Sequence, residues 1–355
     1  MFNFSTTIIL PFFIAFILTV IATPISLIFI KKAGLIDDPK KRHHPATLHT
    51  RPIPRSGGIP FFLGIAITGI IFLPVEKITV ALFIAGLISL TIGVLDDKYD
   101  ISPYFRFLIN IISASIVVYA GANIPFITNP FGGILYLNAL KLSFLPVGVP
   151  FFFSYAIAIL WIVWIMNMLN WSKGVDGQMP GIIAISAIVI GILSLRFPVI
   201  DHYSLISAKL SFMIAGAAIG FLLFNFYPAK IFPGYGATSI YLLLSVVSIL
   251  ASTKLATAIL VMGVPIVDGI FTITRRVLSG KSPFWHDKKH LHHLLLKRGY
   301  GHRKIALFYW LISAILGSLA LVLSSKGKLF AIVMVAIVVS GIILFLQLTI
   351  EDPDD

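Results

Sequence analysis

The stretch TTIILPFFIAFILTVIATPISLIF, residues 6–29, contains no charged side chain. A helix of about 20 apolar residues crosses the hydrocarbon of a bilayer. Backbone polar groups there must be satisfied internally, which leaves helices and closed barrels. The apolar residues run continuously and do not alternate, so the stretch reads as a membrane-spanning helix. No basic residue precedes it, and Lys31 and Lys32 follow. It is therefore expected to remain as an anchored span and not to be removed as a signal peptide.

Runs of the same kind recur at 57–74, 78–95, 106–123, 150–168, 180–196, 208–225, 236–251, 254–273, 306–324 and 329–350. The expected architecture is an all-α polytopic integral membrane protein of about eleven spans, forming a single domain over 1–355 without internal repeats. Composition agrees: 58% of residues are hydrophobic and 12% charged, about half the charged fraction of a soluble domain. There is no cysteine, which excludes disulfides and thiolate metal sites. The Gly- and Pro-rich segment 124–149 is expected to form a hairpin or re-entrant structure.

The formal net charge is +13. With the spans alternating, Lys77, Lys141, Arg196, Lys209, Lys254, Lys326 and Lys328 fall on one side. The other twenty basic residues, concentrated in 31–55 and 275–304, fall opposite. An excess of Lys and Arg marks the cytoplasmic side, so the N-terminus is expected outside and the C-terminus in the cytoplasm, with the chain in the plasma membrane. Eight of the nine histidines share the basic loops. For most single basic residues, topology and contact with anionic lipid are sufficient explanation.

Five polar constellations ask for more. Asp96 and Asp97, in GVLDDKYD, stand at the cytoplasmic end of the third span. Neighbours on a helix point about 100° apart, so one carboxylate can face a site while the other braces it. Two close carboxylates also raise one pKa, which suits a base. The alternative is a solvated helix end. NMLNWSKGVDG, Asn167–Gly177, puts Asn167 and Asn170 on one helical face, then Asp176 between glycines where backbone can approach a ligand; an ordinary polar cap and turn is the alternative. DKKHLHH, Asp287–His293, offers His290, His292 and His293. It lacks the i, i+4 histidine pairing of a helical zinc site, and a basic loop of this kind suits phosphate better. The basic stretch Asp38–Gly58, with His43, His44, His49, Arg51 and Arg55, closes onto a helix start that could grip phosphate or lipid headgroups. Asp268, inside the ninth span, calls for a functional or pairing role.

Taken in order, these pieces resemble the polyprenyl-phosphate N-acetylhexosamine-1-phosphate transferases (glycosyltransferase family 4), and more the GlcNAc-1-phosphate branch than the phospho-MurNAc-pentapeptide translocase. The resemblance rests on DDP with PRSGG, LDD, NMLN with GVDG, NFYPAKIF (Asn225–Phe232), VPIVDG with Arg275 and Arg276, and SPF with DKKHLHH. It implies transfer of a sugar-1-phosphate from a UDP-sugar onto a polyprenyl phosphate at the cytoplasmic face, with release of UMP and use of Mg²⁺. Asp96 and Asp97 would activate the lipid phosphate, and Asn170 would belong to the catalytic surface. Phe232 with Gly174, Val175 and Asp176 would line a uracil pocket. His290, His292 and His293 would hold diphosphate or sugar, with Arg55, Asn167, Arg275, Arg276 and Arg303 as further substrate ligands. The implied partners are the UDP-sugar, the polyprenyl phosphate and the bilayer, with no nucleic acid and a homodimer left open.

Two positions depart from the family pattern, both on the metal side. Where the family has the first aspartate of NxxNxxDGxDG, this chain has Lys173; its FxGDxGS reads FPGYGATS, with Tyr235 at the metal aspartate, or Ala237 after a two-residue shift. Phenol is a poor Mg²⁺ ligand beside carboxylate. Three explanations follow: Lys173 acts as a catalytic fixed cation, Mg²⁺ binds in altered geometry through Asp96, Asp97 or Asp176, or UDP-sugar or lipid phosphate binds without turnover. A transport or lipid-handling role stands outside the resemblance.

Overall fold

The computed structural model describes residues 4–40, 51–129, 132–139, 152–196, 201–251, 255–285 and 287–350. The first apolar run is helix α1 (Leu10–Lys32), entered through a π-helical turn at Ser5–Ile9. Its inward face carries Ala15, Thr19, Thr23 and Ser26, whereas Phe13, Ile17, Ile21, Ile25 and Ile28 point outward. Small and hydroxyl groups inside with large apolar groups outside invert the soluble pattern. Helices bathed in lipid pack this way, because small residues let their backbones approach. Thr23 returns its hydroxyl to the Thr19 carbonyl at 2.7 Å, so the inward polar group is satisfied within the helix.

The helices that follow are α2 (Gly58–Phe72), α3 (Lys77–Tyr99), α4 (Pro103–Tyr119), α5 (Phe152–Trp171), α6 (Gln178–Ser194), α7 (His202–Asn225), α8 (Thr238–Leu250), α9 (Leu255–Val261), α10 (Gly263–Leu278), α11 (Leu291–Lys297), α12 (His302–Val322) and α13 (Ser325–Thr349). Among the described residues, six segments are long and apolar enough to cross a membrane: Ser5–Lys32, α3, α5, α7, α12 and α13. Shorter apolar helices cover the expected runs at 57–74, 106–123, 180–196 and 236–251. The run at 254–273 is not one straight span as expected. It is broken at Met262 into α9 and α10, which bend by 84°. Pro265, in the first turn of α10, lacks the N–H that would continue the ladder from Val261, so the helix restarts there.

Helix α7 lies against α1, α2, α6 and α8, and every residue of α8 is buried, so these two form the centre. Strands β1 (Ile36–Asp37) and β2 (Ile53–Pro54) pair antiparallel and return the chain from α1 to α2. His43, His44 and His49 lie outside the described residues. Strands β3 (Phe126–Thr128) and β4 (Ile134–Tyr136) form the hairpin expected within 124–149; the rest of that segment is described only in part.

One backbone junction positions the site. A Cβ on Gly58 would lie 2.3 Å from the carbonyl carbon of Gly236, and one on Gly93 would lie 2.4 Å from its Cα. Only hydrogen fits at both places. The start of α2, the last turns of α3 and the FPGYG turn therefore meet backbone to backbone. Asp97, one turn beyond Gly93, arrives at that turn.

Candidate active site

Asp96 and Asp97 end α3 buried, and they face different partners. Asp97 Oδ2 accepts the Ser56 hydroxyl at 2.7 Å. Its Oδ1 accepts the Tyr235 N–H at 2.9 Å and lies 3.3 Å from Arg55 Nη2. Asp96 Oδ2 accepts from Arg106 Nη1 at 2.9 Å, while its buried Oδ1 has no hydrogen-bond partner among the described residues. Asp97 is thus a brace with both oxygens engaged, and Asp96 keeps one oxygen open. Asp37, on β1, lies 4.0 Å behind Arg55 Nε.

Lys173 enters the same corner from the loop after α5. Its Nζ donates to the Gly234 carbonyl at 3.0 Å and sits 5.7 Å from the centre of the Tyr235 ring. Arg106 lies 4.7 Å from that ring centre, and Asn110 Nδ2 donates to the Tyr235 hydroxyl at 3.2 Å. Burial pushes Lys173 down to about 7, with Asp97 opposing and Arg55 adding to the shift.

A divalent cation such as Mg²⁺ needs several hard oxygen ligands in near-ideal octahedral geometry. Here the oxygens of Asp97 already take hydrogen bonds from Ser56 and Tyr235 and face Arg55. The phenol of Tyr235 is engaged by Asn110, and three cationic side chains, Arg55, Arg106 and Lys173, occupy the surroundings. Asp176 Oδ2 accepts the Ala229 N–H at 3.0 Å, so that carboxylate and Asp96 each offer one open oxygen. Among the described residues no cluster of three or more His, Asp or Glu could hold a metal. The residues present do not fit the Mg²⁺ that the motifs imply.

Lys173 is followed directly by the glycine that joins this corner to the histidine loop. A Cβ on Gly174 would lie 2.4 Å from His292 Nε2. His292 is buried, neither of its ring nitrogens has a partner among the described residues, and its ring lies 4.3 Å from that of His293. Burial holds His292 well below its ordinary value and His293 down at about 4, with the neighbouring histidines adding to both. Both rings are therefore neutral near pH 7, and the permanent positive charge near the acidic pair is that of Arg55 and Arg106, with Lys173 only partly protonated there. His290 is held by Asp268 at 2.9 Å, and Asp268 also accepts the Leu291 N–H at 3.1 Å. Asp268 thus fills the pairing role expected for it.

The GVDG turn is anchored on its other side by the NFYPAKIF segment. Gly177 N–H donates to Asn225 Oδ1 at 3.1 Å, and Asn225 Nδ2 donates to the Ile231 carbonyl at 2.9 Å. Asp176 Oδ1 lies 3.9 Å from His302 Nδ1. Phe232 is tied to the PRSGG stretch: its N–H donates to Pro54 O at 2.8 Å, and Gly57 N–H donates to its carbonyl at 2.9 Å. Asn170 Oδ1 is buried without a hydrogen-bond partner among the described residues.

The structure therefore gathers Arg55, Asp96, Asp97, Lys173, Gly174, Asp176 and the three histidines, with Phe232 at the edge, while Asn170 lies near the end of α5 just before Lys173. Other expected ligands are engaged elsewhere. Asn167 Nδ2 donates back to Val163 O at 2.7 Å within its own helix. Arg275 and Arg276 both bond Asp287 Oδ2, at 2.9 and 2.8 Å, and brace the loop after α10. Arg303 donates to the Tyr227 carbonyl at 3.2 Å. Four residues of the site were not expected from sequence: Ser56, Arg106, Asn110 and His302. Arg106 and Asn110 carried a signal, since they stand four apart on one face of an apolar helix that begins just after the acidic pair.

Residues 79–252 match the family model described as glycosyl transferase family 4. The chain is 30% identical over 353 residues to a "probable undecaprenyl-phosphate N-acetylglucosaminyl 1-phosphate transferase" of Bacillus subtilis (strain 168), covering 97% of this chain and 91% of that one. It is 28% identical over 373 residues to the decaprenyl-phosphate N-acetylglucosaminephosphotransferase of Mycolicibacterium smegmatis, covering 96% and 88%. Against the undecaprenyl-phosphate alpha-N-acetylglucosaminyl 1-phosphate transferase of Escherichia coli (strain K12) it is 30% identical over 307 residues, covering 81% and 76%. Identity at that level across nearly the whole length, on motifs that the fold brings into one site, is decisive: the chain belongs to glycosyl transferase family 4, the polyprenyl-phosphate N-acetylhexosamine-1-phosphate transferases.

Proposed function

We propose that this protein transfers N-acetylglucosamine-1-phosphate from UDP-N-acetylglucosamine to a polyprenyl phosphate and releases UMP. One observation carries the reading: Lys173 and Gly174 join the acidic pair to the histidine loop, so two phosphate-bearing substrates can meet between them. An anionic phosphate attacking an anionic diphosphate needs positive charge around it. Arg55, Arg106 and Lys173 supply it from three separate segments.

The lipid phosphate enters beside the end of α3. Asp96 Oδ1, the open oxygen, accepts the proton of a singly ionised lipid phosphate. Asp97 holds Ser56, Arg55 and the FPGYG turn in place. The GVDG turn and NFYPAKIF segment receive the nucleotide, and the neutral imidazoles of His292 and His293 offer ring nitrogens to the sugar phosphate.

The site belongs to a single membrane domain of eleven spans in the plasma membrane, α9 and α10 together forming the broken one. The N-terminus lies outside and the active face in the cytoplasm, as the basic residues argue. Because the chain has no cysteine, a single Lys288→Cys would report sidedness by labelling in intact cells. Protection from an impermeant maleimide is expected there, and labelling would reverse the orientation. The activity is tested by incubating purified protein with UDP-N-acetylglucosamine and undecaprenyl phosphate. UMP should appear only when the lipid is present. Binding of the nucleotide sugar without UMP would leave a protein that binds and does not turn over.

A further inference from the structure

We infer that the site carries its electrophilic charge in its own side chains, Lys173 with Arg55 and Arg106, and that transfer proceeds without a divalent cation. This rests on the transferase reading above and goes beyond it. Three independent features converge. The position where the family pattern has a metal-ligating aspartate is Tyr235, whose hydroxyl accepts from Asn110 and whose ring lies against Arg106 and Lys173. A second family aspartate is Lys173, whose ammonium is fixed at 3.0 Å on the Gly234 carbonyl. An arginine stands against each carboxylate of the acidic pair, Arg106 on Asp96 Oδ2 at 2.9 Å and Arg55 on Asp97 Oδ1 at 3.3 Å, which leaves Asp96 Oδ1 as the one open oxygen of the pair. Replacing one aspartate alone would leave a defective metal site. Here both replacements meet in one contact, with an arginine beside each carboxylate of the acidic pair.

The count of bonds, electron pairs and protons closes without a metal. An oxygen of the lipid phosphate donates an electron pair to the phosphorus that bears the sugar, forming the new P–O bond. The bond from that phosphorus to the bridging oxygen breaks, and its pair leaves on the phosphate of UMP. A proton on the lipid phosphate passes to Asp96 Oδ1 and then to solvent. Lys173, charged when a diphosphate lies beside it, stabilises the bridging oxygen as negative charge develops there. Its buried setting, which lowers its proton affinity in the empty site, also makes each contact to an anion stronger than it would be in water.

The test uses the full-length protein in nanodiscs, stripped of metal with EDTA, then assayed for UMP release with and without added Mg²⁺. A panel of UDP-N-acetylhexosamines and undecaprenyl phosphate serve as substrates. Equal rates with EDTA and with Mg²⁺, to within about twofold, are expected, whereas a metal-dependent transferase loses essentially all turnover. UMP formed only with Mg²⁺ would overturn the inference and leave the transferase reading intact. No UMP under either condition would overturn both. Lys173→Met should lower kcat by about 100- to 1,000-fold, the loss seen when one transition-state donor is removed. Lys173→Arg should recover a substantial part of it. Unaltered kcat in Lys173→Met would also refute the inference. Paramagnetic resonance of added Mn²⁺ supplies a readout independent of turnover. The parent protein should bind no Mn²⁺ at this corner, and a saturable site lost in Asp97→Asn would contradict the proposal.

Discussion

The backbone N–H of Tyr235 donates to Asp97 Oδ1 at 2.9 Å, although 138 residues separate them. The contact exists because Gly93, where a Cβ would lie 2.4 Å from Gly236 Cα, lets α3 and the FPGYG turn touch backbone to backbone. It makes Asp97 a structural hub for three segments of the chain, while its neighbour Asp96 keeps a free oxygen. The two carboxylates therefore respond differently to the same substitution.

Asp97→Asn removes the nearer of the two carboxylates beside buried Arg55 and weakens the hold on Ser56. Breaking a buried ion pair from one side costs about 3–5 kcal/mol, so thermal stability in detergent should fall together with turnover. Asp96→Asn disturbs the single contact to Arg106, where Asp97→Asn disturbs those to Ser56, Tyr235 and Arg55 together, and it removes the proton acceptor. It should lower kcat more than stability. Equal stability losses in the two variants would refute this division.

Lys173, held at about 7 by burial, is partly deprotonated in the empty site near neutral pH. A diphosphate brings negative charge beside it and raises its proton affinity. Binding of UDP-N-acetylglucosamine should therefore take up a proton, at most about one, and affinity should weaken as pH rises through 7. Calorimetry in buffers of different ionisation heat measures the uptake. Lys173→Arg should abolish it, and persistence of the uptake in that variant would assign it elsewhere.

Gly174 is in contact with His292, and a Cβ there would lie 2.4 Å from its Nε2. Gly174→Ala should push the histidine loop away from the Lys173 corner. A displacement of about 1 Å between reacting groups costs roughly 100-fold in rate. Turnover should drop on that scale with the protein still folded. Turnover within about twofold of the parent, a change too small for such a displacement, would show that the two segments need not touch during the reaction.

The histidine loop sets the acid limit. His293 is lowered to about 4, by burial first and then by His290, with Asp268 and Asp287 opposing and Lys288 adding to the shift. Its folded form binds a proton less readily than the unfolded form, so its contribution to stability is complete above about 6.5 and is lost as pH falls towards 4. Asp287 does not follow the same course. Against burial, Arg276, Lys289 and Arg275 hold it at about 2, so its pairing survives that window. Melting temperature should fall between pH 6.5 and 4, and His293→Gln should flatten the fall. An unchanged slope in that variant would exclude His293 as the cause.

Much of the fold was legible in the sequence because long charge-free runs allow few structures in lipid. Residues 6–29 and 329–350 could only be helices, and their outward faces show why: lipid-facing positions tolerate any large apolar residue. The break at Met262 was not legible as a bend, since hydropathy continues across it and Pro265 also suits an ordinary helix start. Within the site, Asp96, Asp97, Lys173 and Asp176 stood out by motif. Arg106, Ser56 and His302 did not, because their importance lies in partners that only folding brings near. Arg275 and Arg276 stood out by charge, and folding sets both against Asp287, with Arg275 Nη1 left without a hydrogen-bond partner among the described residues.

The most direct measurement of the central claim is the identity of both products from purified protein, UDP-N-acetylglucosamine and undecaprenyl phosphate. Mass spectrometry should find UMP together with a lipid bearing N-acetylglucosamine through a diphosphate. Release of UDP with a single phosphate between lipid and sugar would contradict attack at phosphorus, and absence of any lipid product would contradict the transferase itself.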